Sequence, residues 1–214
     1  MGGIFDLNNK FFQFMGKVAD CMILNILWIL SSLPLFTIGA STTALYYTVV
    51  KVIRHDIGNV GREYWHSFRD NFKQATLIWF LIFLLCGILV IDCIILYTFL
   101  EAASIMKWLL IASLFVMACI VIWAQYCFSY LARFSDTGKT ILKNSLYIAL
   151  SNLERSIWIL AIFIGSIWIL LRPLGLLLLL FFPTVGMLAN SIILEKIYQK
   201  YLPTNEDQKT NEEV

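Results

Sequence analysis

Five long apolar runs, parted by short charged segments, set the pattern of this chain; they cover residues 18–53, 75–100, 108–131, 156–171 and 174–194. The runs are continuous, not alternating, which predicts helices and excludes barrel strands. A helix of roughly 20 residues crosses the hydrocarbon of a bilayer, and the second and third runs supply that length. Arg172-Pro173 joins the fourth and fifth as a tight turn, so these two predict a helical hairpin. The expected fold class is all-α: a polytopic transmembrane helix bundle of about five spans. A single domain is expected over residues 1–200, with 201–214 as a polar, acidic, disordered cytoplasmic tail.

The first run is too long for one straight span and short for two. Pro34 and Gly39 interrupt it, with Ser31, Ser32, Thr37, Ser41, Thr42 and Thr43 around them. Proline removes a backbone donor, and nearby hydroxyls can satisfy the freed carbonyls. A helix broken at Pro34 and Gly39 is expected, 18–33 and then 41–54. Two half-spans or a re-entrant hairpin is the alternative, which raises the count to six and flips the N-terminus.

Between the first two runs, Tyr64, Trp65, Phe68 and Phe72 recur at helical spacing, with Arg69, Asp70 and Lys73 on the other face. That predicts an interfacial amphipathic helix with aromatics at headgroup depth. Membrane anchoring is the commoner use of such a face; docking of a partner through Trp65, Phe68 and Phe72 is the sharper one. Ile141, Leu142, Leu146 and Leu150 repeat the pattern less strongly in the second loop. An internal repeat accompanies it: residues 54–58 correspond to 134–138, and Asn71-Phe72-Lys73-Gln74-Ala75 to Asn152-Leu153-Glu154-Arg155-Ser156. Both units read as helix, basic loop, amphipathic segment, helix.

Composition agrees with lipid as the solvent. The chain is 60% hydrophobic and 14% charged, with mean hydropathy +0.79, whereas a soluble domain carries roughly 25% charged residues. Net charge of +2 says little; placement says more. Lys51, Arg54, Arg62, Arg69, Lys73, Arg133, Lys139, Lys143 and Arg155 lie in the two long loops, against Lys107 and Arg172 in the opposite connections. This bias puts both long loops and the C-terminus in the cytoplasm. Residues 1–9 lack the basic leader, apolar core and small-residue cleavage site of a removable signal peptide.

Candidate chemistry is sparse. Cys21, Cys86, Cys93, Cys119 and Cys127 lie within apolar runs and form no Cys-x-x-Cys pair, so they read as small packing residues. His55 and His66 sit in the first basic loop, where solvated interfacial histidines are commoner than metal ligands. No nucleophile elbow, phosphate loop or dinucleotide fingerprint occurs, so no enzyme, metal or cofactor is expected. Asp92 lies inside the second run. A mid-membrane Asp costs about 2.5–3.5 kcal/mol on insertion scales, so it is expected to face the bundle and find a partner. Lys107 and Arg172 approach from its side of the membrane. A structural ion pair or a protonated carboxyl is the plain reading; a proton- or substrate-responsive site is the sharper one. Asn25, Gln125 and Asn190 are the other polar groups in spans, with interhelical hydrogen bonds the default.

Several blocks carry a family resemblance. Phe11-Phe12, Lys17-Val18-Ala19-Asp20 and Leu24-Asn25-Ile26-Leu27-Trp28 lead into Ser32-Leu33-Pro34-Leu35-Phe36-Thr37-Ile38-Gly39-Ala40-Ser41-Thr42-Thr43-Ala44-Leu45-Tyr46-Tyr47. Ser67-Phe68-Arg69-Asp70-Asn71-Phe72-Lys73-Gln74-Ala75 and Ala132-Arg133-Phe134 follow. The chain resembles the YesL family of bacterial membrane proteins, whose domain has no assigned function. The resemblance implies a plasma-membrane component encoded beside carbohydrate ABC importers and their sensor kinases, and it carries over no catalytic residues. Gly138, followed after nine residues by Ile148-Ala149-Leu150-Ser151, also resembles the coupling loop of ABC importer permeases. The acidic residue, both alanines and the proline of that motif are missing, so an amphipathic segment is the better description.

The expected function is a non-catalytic accessory or regulatory component linked to carbohydrate ABC uptake. Its expected partners are the lipid bilayer and an importer or sensor kinase, not nucleic acid. The alternative is a small transporter or permease-like subunit with a polar pathway near Asp92.

Overall fold

The computed structural model describes residues 10–99, 104–172 and 182–200. Leu100, Pro173, residues 174–181 and the tail at 201–214, each assigned a role above, lie outside the described residues, as do residues 1–9. The fold is all-α. Seven α-helices are described: α1 (Lys10–Ser32), α2 (Ile38–Thr48), α3 (Val60–Thr98), α4 (Ser104–Arg133), α5 (Gly138–Ser151), α6 (Leu153–Leu170) and α7 (Phe182–Tyr198). A 3-10 turn at Leu35–Thr37 precedes α2, and a π-helical turn at Val49–Arg54 extends it.

The break in the first run falls at residues 33–37, where Pro34 takes an extended conformation (φ −74°, ψ 117°). The freed carbonyls find donors. Thr37 Oγ1 lies 2.5 Å from the Ser31 carbonyl and 2.6 Å from that of Pro34, and the Trp79 indole donates to the Leu35 carbonyl at 2.7 Å. Gly39 does not belong to the break. It is the second residue of α2, where an added Cβ would lie 2.6 Å from Trp79 Cβ and 2.7 Å from the Ala75 carbonyl oxygen. Its role is to let α2 approach α3.

Rather than continuing as one kinked span, the first run turns back on itself. Lys17 Nζ lies 3.1 Å from the Asp56 carboxylate and 3.4 Å from the Ile53 carbonyl oxygen, so the start of α1 meets the end of the α2 extension. These contacts fit the re-entrant hairpin given as the alternative, not the single broken span. Five non-helical or 3-10 residues around Pro34 give the chain room to reverse fully. Leu24 of α1 shares a buried cluster with Ala44, Leu45, Val49, Val52 and Ile53, so the two arms pack along their length.

Past the hairpin, Asp56 (φ 56°) and Gly58 (φ 89°) turn the chain, and the Asn59 side chain caps α3 by accepting from the Gly61 and Arg62 amides. α3 and α4 are antiparallel, with the Trp79 and Phe128 rings 6.3 Å apart and Asp92 meeting Ser113 farther along. Trp123 and Cys127 of α4 hold Ser145 of α5 at 3.1 and 3.0 Å. α5 and α6 then bend by 101° at Asn152. The internal repeat therefore does not extend to the helix geometry, because residues 60–98 form one uninterrupted helix.

α1 from Gln13, α3 and α4 from Ile105 are long and apolar enough to cross a membrane, and the bent α5–α6 pair makes a fourth if taken as one span. Beyond Ile82 in α3 and before Tyr126 in α4, no described residue is buried; Ile91 is 61% and Phe115 69% exposed. An apolar surface this long exceeds what water-soluble monomers expose, and it is compatible with lipid.

Candidate functional site

One end of the bundle is closed by a buried polar network. Glu195 of α7 is 4% exposed; it accepts from the Tyr46 hydroxyl at 3.0 Å and faces the Arg133 guanidinium at 3.5 Å. A carboxylate here needs both, since a buried charge without partners costs several kcal/mol. One turn on, the hydroxyls of Tyr198 and Ser129 are 2.6 Å apart. Ser156 of α6 donates to the Tyr126 hydroxyl at 3.1 Å. The Arg54 guanidinium donates to the Ser191 carbonyl at 3.1 Å. These contacts tie α2, α4, α6 and α7 together at one level. Gln74 donates to the Asp136 carbonyl at 2.8 Å, which brings the early part of α3 to the loop between α4 and α5.

Above this network lies a cavity of about 420 Å³ between α1, α2, α3, α4, α6 and α7. Its wall is largely apolar, from residues such as Leu45, Trp79, Ile82, Phe128, Phe163 and Met187. Two of the expected polar residues, Gln125 and Asn190, line it, with Trp28, Thr42 and Ser166. Asn190 is 4% exposed, and neither its Oδ1 nor Trp28 Nε1 has a hydrogen-bond partner among the described residues.

The other expected residues scatter. Asn25 is fully buried and accepts from the Thr184 amide (3.0 Å) and hydroxyl (2.6 Å), fastening α1 to α7 as an interhelical hydrogen bond. Asp92 does not line the cavity. Its partner is the Ser113 hydroxyl at 2.5 Å, and among the described residues it makes no ion pair with Lys107 or Arg172. Lys107 is exposed, and Arg172 stacks over the Trp168 ring at 4.2 Å. Pro34 and Gly39 stand as described above.

Of the docking residues, only Trp65 is turned outward, 43% exposed. Phe68 and Phe72 pack against the core, with ring centroids 5.4 Å apart. Gly138 opens α5 beside the Gln74 side chain. The buried face of α5 is Ile141, Ser145, Ile148 and Ala149, while Leu146 and Leu150 point outward. That corrects the expected stripe and places the permease-like pattern at Ile148 and Ala149 in packing. His66 pairs with Asp70 at 2.8 Å.

Glu195 was not visible as a site from sequence. Its signal is a stripe at helical spacing, Thr184, Ser191, Glu195 and Tyr198, each buried; the neighbouring Lys196 disguises it as the start of a charged tail.

Fold and cavity together define an all-helical chain with membrane-length apolar helices and a mostly apolar cavity between them. Residues 21–93, well under half of the chain, match the family described as Protein of unknown function, DUF624. No curated protein and no solved structure matches the chain. The family match covers the second half of α1, the Pro34 break, α2 and α3 as far as Cys93, and so takes in Asn25, Gly39 and Asp92.

Proposed function

We propose that this chain is a multi-pass protein of the bacterial plasma membrane, of the YesL type, acting as a non-catalytic accessory or regulatory component of carbohydrate ABC uptake. In this reading α3, α4, α6 and α7 cross the bilayer, and the α1–α2 hairpin enters from the cytoplasmic side. The basic loops and C-terminus are cytoplasmic, as the lysine and arginine bias requires. The observation that carries the reading is the α3–α4 hairpin, which runs past the core with apolar faces that no described helix covers. Such a hairpin suits contact with the membrane helices of a permease. Association with an importer is carried by the resemblance of the sequence blocks around Pro34 and Asn71.

The alternative, a small transporter with a pathway near Asp92, has less behind it. A sugar presents many hydroxyls, and the cavity wall offers few polar groups and does not include Asp92. Affinity purification from native membranes tests the main reading. The expected result is co-purification of a carbohydrate permease, reduced about tenfold by Gly87→Trp, at a position where an added Cβ has no neighbour within 4 Å. Recovery of no permease, or recovery unchanged by that variant, sinks it.

A further inference from the structure

The geometry points to the central cavity as a binding site for a lipid-like amphiphile: a single long apolar chain carrying one hydroxyl-type polar group. The cavity, about 420 Å³, is far larger than the roughly 30 Å³ share of one water and falls in the range of small-molecule sites, about 300–1,000 Å³. Its wall is aliphatic and aromatic over most of its extent, which selects an apolar body.

Two polar atoms then set the head. Trp28 Nε1 is a donor and Asn190 Oδ1 an acceptor; both residues line the cavity, both atoms are buried, and neither has a partner among the described residues. An unmet buried polar group costs about 1–3 kcal/mol, so a ligand that meets either one gains what the folded protein otherwise forfeits. A hydroxyl suits either, because it donates and accepts. A sugar is excluded by the same count, since most of its hydroxyls would face hydrocarbon. A plain alkane fits the walls but leaves both polar atoms unmet. The exposed apolar faces of α3 and α4 place the protein where such amphiphiles are dissolved. This inference needs the protein in a membrane, but not the proposed link to an importer.

The test uses the full chain in lipid nanodiscs and a long-chain 1-alkanol bearing a photoreactive diazirine. A matched diazirine alkane without the hydroxyl serves as comparison. Saturable labelling of peptides holding Trp28 or Met187, displaced by unlabelled 1-alkanol, is expected. Asn190→Leu should weaken the alkanol about tenfold and leave the alkane unchanged. Ala124→Phe, which fills the cavity from α4, should abolish both; Trp28→Phe gives a second reading of the polar contact if Asn190→Leu melts early. Labelling confined to the outer faces of α3 and α4, labelling that does not saturate, or equal alkanol binding in Asn190→Leu overturns the proposal. A cavity holding water alone gives no cavity labelling and overturns it equally.

Discussion

At the scale of single residues, Gly39 has the least freedom. A methyl group there meets Trp79 Cβ at 2.6 Å and a backbone oxygen of α3 at 2.7 Å, and neither atom is the far end of a flexible side chain. Gly39→Ala must push α2 off α3, with an expected loss of about 1–3 kcal/mol, read as a lower unfolding temperature in detergent. Gly87→Ala and Gly165→Ala are the controls. Nothing lies within 4 Å of either added Cβ, and alanine is favoured over glycine in a helix by about 0.5–1 kcal/mol. If Gly39→Ala melts no earlier than these two, the close approach has no energetic meaning. Residue chemistry was legible in the sequence at Asn25, where a polar group interrupts an apolar run and makes the expected interhelical hydrogen bond; Asn190, expected to bond likewise, leaves its Oδ1 without a partner among the described residues. Glu195 was not legible, because it sits at the edge of its run beside Lys196, where a charge ordinarily means solvent. Nothing local to it announces that Tyr46 and Arg133, both distant in sequence, will close over it.

At the scale of elements, the Pro34 break shows how a local signal can be read without its consequence. Proline, glycine and a cluster of hydroxyls announced an interruption. Its direction depends on Lys17 reaching Asp56 across the hairpin, a long-range contact with no periodicity. The hydroxyls matter as expected: Thr37 Oγ1 serves the carbonyls exposed where helical bonding stops. Thr37→Val keeps the shape and removes the donor, so it should cost about 1–2 kcal/mol in unfolding from mixed micelles. Thr98→Val, which loses only an exposed bond to the Ile94 carbonyl, should change stability by much less. Equal effects at the two sites would deny the break its dependence on that hydroxyl. α5 offers the converse case. Its leucines at 146 and 150 fit an inward stripe by spacing alone, yet Ser145 lies inside and they lie outside. Spacing alone does not register hydrogen bonding, and Ser145 takes the inward position where Trp123 and Cys127 bond to it.

For the molecule as a whole, the contacts decide which chain segments share an end of the bundle. Gln74 with Asp136, and Glu195 with Arg133, place the loop between α4 and α5 beside early α3 and the end of α7. Lys17 with Asp56 adds the start of α1 to that same side. A single kinked first span would instead put the N-terminal segment opposite the basic loops, so the two topologies differ in one measurable place. The experiment replaces the five native cysteines and introduces single ones at Gln13, Ser135, Gln199, Lys107 and Arg172 in turn. Intact cells are then treated with a membrane-impermeant maleimide. The hairpin predicts that Gln13→Cys, Ser135→Cys and Gln199→Cys react only after the cells are opened, whereas Lys107→Cys and Arg172→Cys react from outside. Protection at Ser135 and Gln199 with reaction at Gln13 would restore the kinked span and refute the hairpin. Reaction at all three from outside would leave the hairpin standing but reverse the proposed orientation, because the contacts fix only which segments lie together. The proposed cytoplasmic side of that shared end rests on the basic residues alone.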